Sequence, residues 1–154
     1  IGDSRLYYIK PSMNNYWRTK DHSLVQELFD NGRIDSEEKM ENHPMRNRIT
    51  RVLQAKKMVK PVQADCIQLE NVEEGDLFFL CSDGILEPFS NIRLASLLAD
   101  EKKSIQERLR LIEKKCLEQS EDNSTYILVE IEKEDAINIK NNSIKLLPLR
   151  KSLF

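Results

Sequence analysis

Three observations predict an α+β fold built on antiparallel strands. Apolar runs with strand character come in pairs across turn-forming residues, as at 5–10 and 16–19 on either side of Pro11. Stretches with helical spacing are inserted between the pairs, where a parallel fold would alternate strand and helix singly. The 154 residues are enough for one domain with a real core.

Taken in order, Leu6, Tyr7, Tyr8 and Ile9 make residues 5–10 a strand, and 16–19 is its return across a turn. Ser23 with Gln26 fits a capping box and Gly32 a helix stop, so 24–31 is a helix. Ser36 is the expected N-cap of a short acidic helix that His43-Pro44 ends. Residues 54–61 are cationic and read as a surface loop, and 64–69 alternate and read as a strand. Glu73-Glu74-Gly75-Asp76 is a turn, followed by Leu77-Phe78-Phe79-Leu80-Cys81, five apolar residues that predict a strand buried on both faces. Pro88 and Ser90 precede a helix ending near Ala99. Ser104 caps a long helix whose Ile105, Leu109, Ile112 and Cys116 form an apolar stripe. Asp122-Asn123-Ser124 is a turn before a β-branched strand over 125–131. The sum is about five strands and four helices. The charged segment from Lys133 onward carries no assignment, and Trp17 reads as partly buried packing.

Charged residues make up 32% of the chain but the net charge is only −2, so neither nucleic acid nor an anionic membrane is the expected partner. No stretch approaches the ~18 consecutive apolar residues of a membrane helix. Cys66, Cys81 and Cys116 are odd in number and far apart, and read as reduced thiols buried as small hydrophobes, which suits a cytoplasmic protein. With no Cys-x-x-Cys pair and only His22 and His43, a zinc site is not expected. The chain opens Ile1-Gly2-Asp3 without an initiator methionine, which reads as the later part of a longer polypeptide.

Three acids share one context. Asp3, Asp83 and Asp122 each sit in a turn beside an apolar strand, next to Gly2, Gly84 and Asn123. Were those strands neighbours, the carboxylates would converge, and carboxylates about 4 Å apart repel unless a proton or cation lies between them. Without histidine or cysteine alongside, the cation would be hard and oxygen-loving, Mg²⁺ or Mn²⁺. The plainer alternative at Asp83 is an ordinary strand end with an Asp-Gly turn.

Gly2-Asp3-Ser4-Arg5, Thr19-Lys20-Asp21-His22-Ser23, Arg46-Asn47-Arg48-Ile49-Thr50-Arg51-Val52-Leu53, Gly75 through Ser82-Asp83-Gly84, and Asp122-Asn123-Ser124-Thr125 follow one another in that order. The series resembles the metal-dependent serine/threonine protein phosphatases of type 2C in their bacterial form, over residues 1–131. The resemblance implies an antiparallel β-sandwich flanked by helices, present as a partial domain over 1–132, with a flap at about 32–48 and a C-terminal extension of unknown role at 133–154. It implies that Asp83 and Asp122 share one metal of a pair, and that Asp3 helps Asp83 hold a third, looser ion. Gly84, Asn123 and Arg5 would support them. The implied cofactors are Mn²⁺ or Mg²⁺, and the implied reaction is hydrolysis of phosphoserine and phosphothreonine in a phosphoprotein by a metal-activated water, without a phosphoenzyme.

Other residues carry two readings each. Arg5 would orient the aspartates or be a solvated strand arginine. Asp21 and His22 read as cap and neighbour of the first helix ahead of catalysis. Arg46, Arg48 and Arg51 would greet phosphate, or pair with the acids of 35–41, the preferred reading. The sequence departs from the family in lacking the Asp-Gly-x-Gly-Gly motif, whose aspartate bridges both metals, and in Gln54 where glycine is usual. The missing N-terminal half would then be a cleaved or separate chain, and the isolated 154 residues inactive. The alternative function is a non-catalytic module that binds a phosphoprotein or partner on the same scaffold.

Overall fold

Two period-2 patterns and two helical stripes account for most of the architecture. The computed structural model describes residues 1–53, 64–69 and 71–132. The chain divides into two units, one of residues 1–4 and 20–68, the other of residues 5–19 and 69–154.

The larger unit holds a four-stranded antiparallel sheet in the order β2-β1-β3-β4, from β1 (Arg5–Lys10), β2 (Asn15–Arg18), β3 (Leu77–Cys81) and β4 (Tyr126–Glu130). The register Tyr7↔Phe79↔Leu128 and Ile9↔Leu77 puts these side chains on one face, and all five are buried. Helices α3 (Asn91–Leu98) and α4 (Ile105–Gln119) cover that face with Leu94, Leu98, Leu109, Ile112 and Cys116. The capping box at the start of α4 is complete: Glu107 N–H donates to Ser104 Oγ (3.3 Å) and Ser104 N–H to Glu107 Oε2 (2.8 Å). On the opposite face the rings of Tyr8 and Phe78 stack with centroids 5.0 Å apart. The Tyr8 hydroxyl donates to the buried Asp76 carboxylate at 2.6 Å.

The smaller unit contains α1 (Leu24–Asp30) and α2 (Glu37–Glu41), packed through Val25, Ile34 and Met40. Ser23 Oγ accepts from Gln26 N–H at 3.3 Å, while the Gln26 side chain turns to Asp30 (3.0 Å), so half of the expected capping box forms. Gly32, at φ +69°, ends α1 as expected, because only a left-handed residue lets the next amide fold back onto the Leu28 carbonyl (2.8 Å). Ser36 caps α2 by accepting from Lys39 N–H.

Several expectations need correction. Residues 64–69 are irregular and largely exposed, Cys66 included: alternation marks a strand only where a ladder partner exists, and these residues pair with none of the four strands. The described residues therefore hold four strands, in one sheet; a second sheet of the implied sandwich is not among them. Strand β3 is buried on one face only, with Leu80 44% exposed, because the helices cover a single face. The cationic stretch 54–61 and the segment 133–154 lie outside the described residues.

Candidate metal centre

The sheet register builds the candidate site. Cys81 pairs with Tyr126, so the end of β3 lies beside the start of β4 and the turns that carry Asp83 and Asp122 are neighbours. Ser82 ties them: its N–H donates to the Thr125 carbonyl (2.9 Å), and its Oγ donates to the Asn123 carbonyl (3.1 Å) and accepts from Thr125 N–H (3.0 Å). Asp83 opens a single 3₁₀ turn, Asp83–Ile85. A Cβ on Gly84 would lie 2.6 Å from the Asn123 carbonyl oxygen, so glycine there lets the two backbones touch.

Both carboxylates are exposed, and each is steadied by the amide that follows it. Gly84 N–H donates to Asp83 Oδ1 (3.0 Å) and Asn123 N–H to Asp122 Oδ1 (2.7 Å), leaving the second oxygen of each without a partner among the described residues. Two oriented carboxylates on adjacent turns are oxygen donors of the kind that suit Mg²⁺ or Mn²⁺. Among the described residues no group of three or more His, Cys, Asp or Glu gathers to hold a metal. Asp3 belongs to the smaller unit, next to Gly2 at φ +94°.

The remaining candidates are placed as follows. Arg5 Nη1 donates to Asn91 Oδ1 (2.8 Å), which also accepts from the Tyr7 hydroxyl (2.6 Å), so Arg5 is tied to the start of α3. Ser23 is the N-cap of α1, and His22 Nε2 lies 2.8 Å from Asp65 Oδ2. Arg51 also pairs with Asp65 (2.9 Å) and Arg46 reaches the Glu41 carbonyl (3.1 Å), in place of side-chain pairs with the acids of 35–41. Burial pushes the Cys116 thiol up, which keeps it protonated and a poor nucleophile.

Sequence reasoning missed Glu87 and Ser120, whose side chains meet at the Asp122 turn. A lone acid between Leu86 and Pro88 and a serine at a helix end carry no motif, and their 33-residue separation leaves no periodic signal.

No family model matches the chain. Among curated proteins it is 34% identical over 135 residues to a putative protein phosphatase 2C-type from Streptococcus pyogenes, covering 88% of this chain and 52% of the relative. It is 35% identical over 133 residues to the serine/threonine phosphatase Stp of Listeria welshimeri, covering 84% and 49%. The chain thus spans about half the length of the curated relatives it matches. Among solved structures, serine/threonine phosphatase Stp1 from Staphylococcus aureus superposes with a TM-score of 0.71 at 32% identity, covering 86% of this chain and 50% of that one. The catalytic domain of the serine/threonine protein phosphatase PstP, in complex with two manganese ions, superposes with a TM-score of 0.61 at 27% identity, covering 86% and 52%.

Proposed function

We propose that this chain, a member of the bacterial type 2C serine/threonine phosphatases spanning about half the length of those it matches, supplies part of the metal site of a protein that dephosphorylates phosphoserine and phosphothreonine. The observation that carries this reading is the adjacency of the Asp83 and Asp122 turns, fixed by the β3–β4 register and the Gly84–Asn123 contact. Asp83 and Asp122 are the ligands of one divalent cation, and Asp3 joins Asp83 on a looser one. Gly84 and Asn123 set the backbone path that brings the two carboxylates to one edge, and Arg5 anchors the strand that follows Asp3 to α3.

Phosphate monoesters resist uncatalysed hydrolysis strongly, so the site must offset much developing charge. Manganese or magnesium supplies that positive charge and makes a water acidic enough to serve as nucleophile; manganese is favoured by the PstP neighbour. This chain's part is to hold its carboxylates oriented and open to solvent. The ligands beyond Asp3, Asp83 and Asp122 come from the rest of the domain, so 1–132 is part of a catalytic domain and is inactive alone. Residues 32–48 are its flap, and 133–154 an extension beyond it. A phosphoprotein is the substrate.

The test is Mn²⁺-dependent hydrolysis of a phosphothreonine peptide by the complete protein. Asp83→Asn and Asp122→Asn each abolish the metal-dependent rate; turnover equal to wild type in either variant rejects the assignment.

A further inference from the structure

We infer that Glu87 and Ser120 are positioning residues that lock the Asp122 turn to the segment carrying Asp83. For its consequence the inference rests on the metal reading above; its geometry stands independently. The turn has two ends. The downstream end is held by the sheet, through Ser82 and Thr125. The upstream end leaves α4 at Ser120, beyond the reach of the ladder, and is held by one carboxylate: Glu87 Oε2 accepts from Glu121 N–H (2.7 Å), from the Ser120 hydroxyl (2.7 Å) and, more loosely, from Asp122 N–H (3.4 Å). Ser120 Oγ also lies 2.8 Å from the Gly84 carbonyl and 3.2 Å from that of Asp122. A hydroxyl has one proton, so these three acceptors share it, and the ionised one is the strongest.

Glu87 lies four residues beyond Asp83, just past the same 3₁₀ turn. The clamp therefore joins the two aspartate-bearing segments directly. With both ends anchored, Asp122 keeps its place relative to Asp83; with the Glu87 carboxylate removed, the upstream end keeps only α4 and the single Ser120–Gly84 bond.

The test compares the complete protein with Glu87→Ala, Glu87→Gln, Ser120→Ala, Asp83→Asn and Asp122→Asn. It reads backbone hydrogen exchange by mass spectrometry and Mn²⁺ affinity by calorimetry. Glu87→Ala speeds exchange in the peptide covering 120–125 and leaves the peptide covering 126–131 as in wild type. It weakens Mn²⁺ binding about tenfold, the usual effect of losing a group that orients a ligand. Glu87→Gln keeps an acceptor oxygen and recovers most of both losses; Ser120→Ala has the smaller effect, since Glu87 still holds Glu121. Unchanged exchange at 120–125 in Glu87→Ala overturns the clamp. Faster exchange with wild-type Mn²⁺ affinity, while Asp122→Asn lowers that affinity, overturns the positioning role. If Asp83→Asn and Asp122→Asn both leave Mn²⁺ affinity unchanged, the metal reading is what fails, and the positioning role falls with it.

Discussion

The carbonyl oxygen of Asn123 lies 2.6 Å from the point where a Cβ on Gly84 would stand, with the Asn123 carbonyl carbon at 2.9 Å. The obstacle is backbone, which cannot swing aside as a side chain does, and Ser82 binds the same Asn123 carbonyl. Gly84→Ala therefore forces the two turns apart. The expected outcome is a loss of about 1–3 kcal/mol, as for other overpacked sites, read as a lower thermal midpoint, together with weaker Mn²⁺ binding. An alanine variant with wild-type melting would show that the turns are not held in contact.

The parts of this arrangement that were legible in the sequence are local ones. Ser104 and Glu107, three residues apart, announce α4, and the structure realises both halves of their box. Leu77–Cys81 announces β3 by composition, and Asp122 its turn by residue type. What sequence could not supply is long-range pairing. The alternation at 64–69 looks like that of a true strand until a partner is sought. The burial of only one face of β3 depends on which elements cover it. The same holds for polar partners: nothing near Arg51 in sequence points to Asp65, nor anything near Glu87 to Ser120.

Arg108 is 8% exposed, and its guanidinium donates through Nη1 to the Leu98 carbonyl (2.6 Å) and through Nε to the Lys103 carbonyl (2.9 Å). Leu98 is the last residue of α3, so its carbonyl has no helical donor, and Arg108 of α4 supplies one. Arg108→Met keeps much of the apolar stem but strands the buried Leu98 carbonyl. It is expected to cost about 2–3 kcal/mol, read as a lower urea midpoint at unchanged slope. Arg108→Lys, with one ammonium in place of a fork, recovers part of this.

Tyr7 is fully buried, and burial raises its phenol from the ordinary 10.0 to about 12, with Arg5 pulling the other way. The sign follows from linkage: the folded state holds the proton more tightly than the unfolded chain. The phenol's contribution is thus intact below pH 10.0 and lost as pH rises towards about 12. The full loss is about 2–3 kcal/mol. Tyr7→Phe gives up the bond to Asn91 at all pH values, costing about 1 kcal/mol at neutrality, and loses less than wild type between neutral and strongly alkaline pH. Denaturant midpoints of both proteins across that range check this. Parallel decline in the two would show that Tyr7 does not drive the alkaline transition.

Asp65 fastens the irregular residues 64–68 within the smaller unit, through His22 Nε2 at 2.8 Å and Arg51 Nη1 at 2.9 Å. His22 is itself nearly buried, with Nδ1 lacking a partner among the described residues, so the ring is held in place and Asp65 comes to it. The bond from His22 first, then that from Arg51, hold the Asp65 carboxyl below its ordinary 3.8. For a lowered carboxyl the stabilisation is present above the ordinary value and disappears as pH falls through the lowered one. The amide resonances of residues 64–68 should thus keep their neutral-pH positions down to the ordinary carboxylate range. Below it they should move towards unstructured values. Asp65→Asn should show the released pattern at neutral pH with little further change on acidification. Release that follows the same pH course in Asp65→Asn as in wild type would assign the fastening to another group.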